Sequence, residues 1–372
     1  MKRIIPLLII LLFSCHKEEL VDVSNKEELE NVIESAFNLY QMPGLAYLAV
    51  KNDSVVISGA MGYANVKDKI PFTPQTRMII ASISKTIIAT AIMQLVENGR
   101  IDINEDINQY LPFTVRNPKY PNEPITTKML LTHTSSITDG GYISAFYLYG
   151  FVDYPVTLLN FEKEYLSENG QYYTSANYSN FKPNSNYEYS NVAAALAACL
   201  VEQVSGVSFN DYCKSHIFQP LGMSKTTWFF SETPKSEIAI PYSDLNNMNP
   251  DNPFFSYPTY PDGHLITTTE DLSRFMRAYI MDGTFNGYQL LQSSSVDTIL
   301  SVQYETKFKQ GLIFYNLESP QFSVWGHNGG DPGVSTEMYF DKTKKVGLIV
   351  FTNRSDAYSQ TMKHALLQFA NQ

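Results

Sequence analysis

Ser82 and Lys85 are a pair whose types and spacing suit covalent chemistry. In Ser82-Ile83-Ser84-Lys85 the hydroxyl and the amine stand one helical turn apart on a single face. Behind them Ile87, Ile88, Ala91, Ile92, Leu95 and Val96 recur at helical spacing, and Gly99 ends the run. A lysine at the buried start of such a helix is desolvated, which favours the neutral amine and lets it take a proton from Ser82. Spacing alone does not single out this pair. Ser179-Asn180-Phe181-Lys182 repeats it, but runs into Pro183 and cannot open a helix in the same way.

Tyr189-Ser190-Asn191 is the second element, directly ahead of an apolar helix through Val192, Ala195, Leu196, Cys199 and Leu200 that Gly206 closes. In an extended segment residues two apart share a face, so the Tyr189 phenol and the Asn191 amide point the same way. An earlier copy, Tyr178-Ser179-Asn180, sits in a loop instead. The third element is Gly326-His327-Asn328-Gly329-Gly330, followed by a strand over Ser335 to Asp341. Glycines beside a strand let another backbone approach closely. Taken alone, His327 reads as a turn residue or a structural histidine.

These residues need a frame to bring them together. Lys26 to Tyr40 has helical periodicity, and Leu45 to Val50 with Ser54 to Ala60 reads as a hairpin about Lys51-Asn52-Asp53. Strand-like runs at Gln310 to Tyr315, Ser335 to Asp341 and Val346 to Thr352 follow a helix over Asp271 to Ile280. A last helix covers Ala357 to Ala370. Strands at both ends with helices between them predict an α+β fold. Residues 29–77 and 266–372 build a largely antiparallel sheet flanked by helices, and 78–265 form an inserted, mostly helical subdomain. The cleft belongs where the two meet.

In this order and context the three elements resemble the signature of the penicillin-binding and β-lactamase-like serine hydrolases: S-x-x-K, then Y-x-N, then K-T-G or a relative. Leu130-Leu131-Thr132-His133-Thr134-Ser135, Pro220-Leu221-Gly222-Met223 and Thr268-Thr269-Glu270-Asp271-Leu272 add to the likeness, which spans nearly the whole chain. It is nearest the branch of class C β-lactamases, DD-peptidases and esterases. The resemblance implies that Ser82 forms an acyl-enzyme, that Lys85 accepts its proton with Tyr189 assisting, and that no cofactor or metal takes part. It implies that Asn191 holds the substrate and orients Lys85, that His327, Asn328 and Gly329 bind substrate, and that the backbone N–H groups of Ser82 and Gly330 form the oxyanion hole. His133 and His264 look structural. The departure is His327, where β-lactamases carry lysine; a histidine is mostly neutral above neutrality and a poor anchor for a carboxylate. Peptidase action on D-configured substrates, DD-carboxypeptidase-like, or esterase action is therefore expected ahead of β-lactam hydrolysis. A non-catalytic penicillin-binding sensor is the alternative of another class. The aromatic segment from Tyr142 to Tyr187 either lines an acyl pocket or packs the helical subdomain.

Composition narrows the partners. The 372 residues are 44% hydrophobic and 13% aromatic, which excludes disorder and supports a large core. A net charge of −10 gives nucleic acid no footing. Met1-Lys2-Arg3, a ten-residue apolar run from Ile4 to Phe13, and Leu12-Phe13-Ser14-Cys15 read as an export signal (1–14) ending in a lipobox, with Cys15 acylated and residues 15–28 a polar tether. The domain proper is 29–372. The expected setting is the cell envelope, with the lipid as the sole membrane contact, a monomeric chain, and a small-molecule or peptide substrate. Cys199 and Cys213 are either buried thiols or a disulfide. The six histidines are scattered, which gives a zinc site no support.

Overall fold

Alternation along a few strands organises the molecule. The computed structural model describes residues 20–372 apart from 141, 244–245, 247–252 and 306–307, so the export signal and Cys15 lie outside the described residues. Strand β1 (Gly44–Lys51) turns into β2 (Ser54–Asn65), with β3 (Ile70–Pro71) at its edge. The other strands of the main sheet come from the C-terminal part: β4 (Tyr304–Glu305), β5 (Lys309–Gln310), β6 (Tyr315–Glu318), β7 (Ser323–Asp331), β8 (Val334–Asp341) and β9 (Val346–Thr352). They form one nine-stranded antiparallel sheet in the order β4-β5-β6-β7-β8-β9-β1-β2-β3. The two ends of the chain meet where Leu45 pairs Thr352 and Lys51 pairs Val346.

Successive side chains leave a strand on opposite faces, and here both faces are covered. Ala46, Leu48 and Val50 of β1, with Met338, Phe340, Ile349 and Phe351, face the core shared with the helical part. Leu45, Tyr47 and Ala49, with Tyr339, Leu348 and Val350, face a second core. That second core is closed by α1 (Lys26–Leu39), whose N-cap Asn25 accepts from the Glu28 N–H, and by the C-terminal helix.

Two helices run through the centre of the helical part: α2 (Lys85–Glu97) and α3 (Asn191–Ser205). Residues 85–95 of α2 and Val192 to Val201 of α3 are buried on every side, the pattern of helices with no solvent face. Each fully buried Val, Leu or Ile contributes roughly 1.5–3 kcal/mol, so the packing of α2 against α3 holds their N-termini in fixed relation. Gly206 closes α3 in the left-handed conformation that glycine adopts freely (φ +82°). Helix α4 (Thr269–Ile280) rests on the sheet, and α5 (Gln360–Asn371) packs beside α1. Cys199 and Cys213 are buried free thiols.

The expected helices, the β1–β2 hairpin, β8 and β9 are present with small shifts at their ends. The run from Gln310 to Tyr315 is not one strand. Its middle, Gly311 to Phe314, is a buried turn between β5 and β6, with Ile313 at φ +65°. The Gln310 amide donates to the carbonyls of Gly311, Ile313 and Phe314 and so meets the polar needs of that turn. Apolarity there marks burial, and a turn can be buried when a side chain caps it. The segment holding His327 is a strand, β7, although it reads as a turn.

Candidate active site

Three pieces of chain converge on Ser82. The first is the 3₁₀ turn Ala81–Ser84 that leads into α2. Ala81 has φ +46°, a costly conformation for a residue with a Cβ, and the surroundings hold it there. The Thr336 hydroxyl donates to the Ile80 carbonyl (2.8 Å), and Ile80 N–H donates to the Leu265 carbonyl (2.9 Å). Leu265 N–H in turn donates to Ser84 Oγ (3.1 Å). Ser82 thereby sits half-buried at the cleft, with Lys85 one turn below it and fully buried.

The second piece is the extended segment entering α3. Ser190 is the N-cap, its Oγ accepting from Ala193 N–H (3.0 Å). Tyr189 precedes it, and its hydroxyl donates to Ser82 Oγ at 2.9 Å while Lys85 Nζ donates to the same oxygen at 3.0 Å. The His133 ring lies against Tyr189 (centroids 4.4 Å apart), and His133 Nδ1 accepts from Ser190 N–H. Burial and the nearby Lys85 charge hold His133 well below its ordinary range, so it is a neutral positioning group. His264 is buried between the carbonyls of Trp228 and Phe255 and is structural.

The third piece is β7. His327 is 3% exposed, and burial, with the charge of Lys85, lowers it to about 3. Its Nδ1 lies 2.5 Å from the Asn328 carbonyl. A carbonyl only accepts, so Nδ1 carries the proton and Nε2 presents a lone pair. His327 is thus a neutral acceptor, further from a carboxylate anchor than its type alone suggests. Asn328 Oδ1 accepts from the Tyr315 hydroxyl (2.7 Å). Gly329 lines neither cavity beside Ser82, contrary to its expected role in substrate binding. A Cβ there would collide with the Ile80 carbonyl and the Thr336 hydroxyl, so the glycine lets β7 approach the turn that carries Ser82. Gly330, next along, lines both cavities together with Ser82 and Tyr189.

Two expectations are corrected. Asn191 lines the cleft but does not orient Lys85; its amide and backbone N–H both donate to Asp139 Oδ2 (2.9 and 3.1 Å). Asp139 Oδ1 accepts from Ser190 Oγ and Val192 N–H, so this carboxylate ties down the N-terminus of α3, where the helix dipole favours an anion. Lys85 is oriented by Asp262 instead, donating to its carbonyl at 2.7 Å with the carboxylate Oδ1 3.9 Å away. Nor is Lys85 simply a neutral amine. Burial works to strip its proton, but its interactions with Tyr189 and Asp262 outweigh that and raise the amine above its ordinary value. The sequence reading passed over Asp139 and Asp262; their signals were Gly140-Gly141 and Gly263, small residues that leave room beside a cleft.

The decoy residues are engaged elsewhere. Ser179 Oγ donates to Glu188, Lys182 pairs Glu123 at 2.7 Å, and the Tyr178 hydroxyl donates to the Leu166 carbonyl. Among the described residues no group of three or more His, Cys, Asp or Glu side chains is placed to hold a metal ion.

The cleft divides at Ser82. On one side is a cavity of about 850 Å³ whose walls include Tyr142, Tyr147 and Tyr257. On the other is one of about 450 Å³ with Tyr187, Phe308, Tyr315 and His327. The aromatic segment therefore has both of the roles weighed for it. Tyr142 and Tyr147 face the larger cavity, while Phe146, Phe161, Tyr165 and Tyr172 pack on one another.

Comparison with known proteins bears on the family and the fold. The family described as Beta-lactamase matches residues 29–371. Protein flp of Staphylococcus aureus (strain MW2) is 24% identical over 357 residues, covering 93% of this chain and 67% of its own. A class C β-lactamase from Rhodobacter sphaeroides superposes with a TM-score of 0.71 at 17% identity, over 93% of this chain and 98% of that one. The D-amino acid amidase of Ochrobactrum anthropi SV3, complexed with D-phenylalanine, gives 0.70 at 21% identity, over 92% and 97%. The antiparallel sheet flanked by helices is the fold they share, and the chain belongs to the Beta-lactamase family of serine hydrolases and penicillin-binding proteins.

Proposed function

We propose that this chain hydrolyses small esters or amides through an acyl-enzyme on Ser82, with Tyr189 as the group that moves the proton. The carrying observation is Ser82 Oγ held between the Tyr189 hydroxyl (2.9 Å) and Lys85 Nζ (3.0 Å) at the junction of two cavities. Because Lys85 is held as a cation, its part is to offset the negative charge of the Tyr189 oxygen in the reacting form, in which that phenol has given up its own proton to solvent. Ser82 Oγ attacks the carbonyl carbon as its proton passes to the Tyr189 phenolate oxygen. The carbonyl oxygen turns to the N–H groups of Ser82 and Gly330. Tyr189 gives the proton to the leaving oxygen or nitrogen as that bond breaks, then takes a proton from the attacking water and returns it to Ser82 Oγ as the acid is released.

His327 supports esters and amides over β-lactams. A β-lactam or a peptide with a free C-terminus brings a carboxylate into the smaller cavity, and no cationic side chain among the described residues lines it. D-configured acyl groups are the favoured class, in line with the D-amino acid amidase among the structural neighbours. The test is a panel of p-nitrophenyl esters, D-amino-acid amides and nitrocefin. Ester or amide turnover should exceed nitrocefin turnover; a faster nitrocefin rate overturns the reading. We further propose that Cys15 carries a lipid in the cell envelope, so that Cys15→Ala releases soluble protein; unchanged membrane partitioning contradicts this.

A further inference from the structure

The larger cavity has an acidic lining. Asp139, Glu188, Asp262 and Asp331 line it, and no Lys, Arg or His side chain among the described residues does. Each of the four has a donor. Asp139 holds the start of α3, Glu188 holds Ser179, and Asp331 accepts from the hydroxyls of Tyr147 (2.5 Å) and Tyr257 (3.1 Å). Asp262 is different. It is 5% exposed, its side-chain donor is the Thr259 hydroxyl, Lys85 stands 3.9 Å from its Oδ1, and its Oδ2 accepts no hydrogen bond. A buried carboxylate oxygen without a donor is costly. A site that keeps one is suited to a ligand that brings the donor, and an ammonium group brings three together with the neutralising charge. The rings of Tyr142, Tyr147 and Tyr257 stand in the same walls and offer faces that also attract a cation.

Position gives the ligand its chemistry. Lys85 Nζ is 3.0 Å from Ser82 Oγ and 3.9 Å from Asp262 Oδ1. The carboxylate therefore lies close to the attacking oxygen. The two oxygens are thus no further apart than 3.0 Å and 3.9 Å together, a span that a carbonyl carbon about 3 Å from Ser82 and an amine about 2.8 Å from Asp262 bridge when a single carbon joins them. We infer that Asp262, backed by Asp331, is a subsite for the free α-ammonium of the acyl group, so that the substrates are amides or esters of amino acids with an unblocked amine. This rests on the Ser82 hydrolase reading and names its substrate class.

The test compares two substrates with the same leaving group, D-alanine p-nitroanilide and N-acetyl-D-alanine p-nitroanilide, at pH 7.5 with the intact chain. The expected result is a kcat/KM ratio of at least tenfold in favour of the free amine. Asp262→Asn and Asp331→Asn should each drive that ratio towards one. A ratio is read because damage to the Ser82 chemistry, which Asp262→Asn can cause through Lys85, lowers both substrates alike. Fluorophosphonate labelling of Ser82 in parallel separates the two claims. Labelling with equal or faster turnover of the acetylated substrate overturns the subsite, as does a ratio that survives both substitutions. No labelling and no turnover of either substrate defeats the hydrolase reading, and the subsite with it.

Discussion

Replacing Asp262 with asparagine should flatten the pH dependence of folding stability, and the size of the effect follows from where the carboxyl sits. Burial raises Asp262 from 3.8 to about 7; the Lys85 charge opposes this without overcoming it. In the unfolded chain the same group titrates near 3.9. A folded value above the unfolded one means that the folded state holds the proton longer. The resulting stability is complete below the unfolded value and is lost as pH rises to about 7. Between pH 5 and pH 7 the unfolded chain has released this proton and the folded chain still holds it. The slope is near 1.36 kcal/mol per unit at pH 5 and falls to half of that at pH 7, where the folded group is half ionised, so the loss is about 2.3 kcal/mol over the interval. Asparagine has the same shape and no proton to lose. Asp331, raised by burial to about 6, titrates in both proteins and cancels in the comparison, as do the buried histidines. The assay is denaturant unfolding of both proteins at pH 5 and pH 7. The wild type should lose about 2–3 kcal/mol more than Asp262→Asn across the interval. Parallel losses would show that Asp262 ionises normally, and the unpartnered oxygen would then need another account.

Further predictions concern the groups around Ser82. Tyr189→Phe removes the hydroxyl 2.9 Å from the nucleophile and should lower kcat/KM by about 10²–10⁴-fold with the fold intact by circular dichroism. A loss below tenfold would return the proton transfer to Lys85. Gly329→Ala sets a methyl group against the Ile80 carbonyl and Thr336 and should cost at least about 1–3 kcal/mol of stability. Its kcat should fall too, because β7 then backs away from the turn bearing Ser82; unfolding midpoints and steady-state rates check both parts.

What the sequence made legible is whatever a period or an order can encode. The helix behind Lys85, the closing Gly206 and the paired strands at the two ends of the chain are periodic and local, and they place Ser82, Lys85 and Tyr189 without coordinates. Strand β7 was not legible, because Gly326, Gly329 and Gly330 replace the alternation a strand normally shows; Gly326 allows close approach to β8, and Gly329 close approach to the turn that carries Ser82. Asp139 and Asp262 were missed for another reason. Each lies in a short irregular stretch, and each acts on a residue far off in sequence: Asp139 on Asn191, and Asp262 on Lys85, 177 positions away. The charge of Lys85 depends on that distant pairing, so desolvation argued from its own helix gave only half of the balance.

The central claim is that a covalent intermediate forms on Ser82. Mass spectrometry of protein quenched during turnover of p-nitrophenyl acetate reads it directly. The account predicts a single acetyl group on the peptide containing Ser82, and none in Ser82→Ala. Turnover with no adduct on that peptide, or an equal burst from Ser82→Ala, would contradict it.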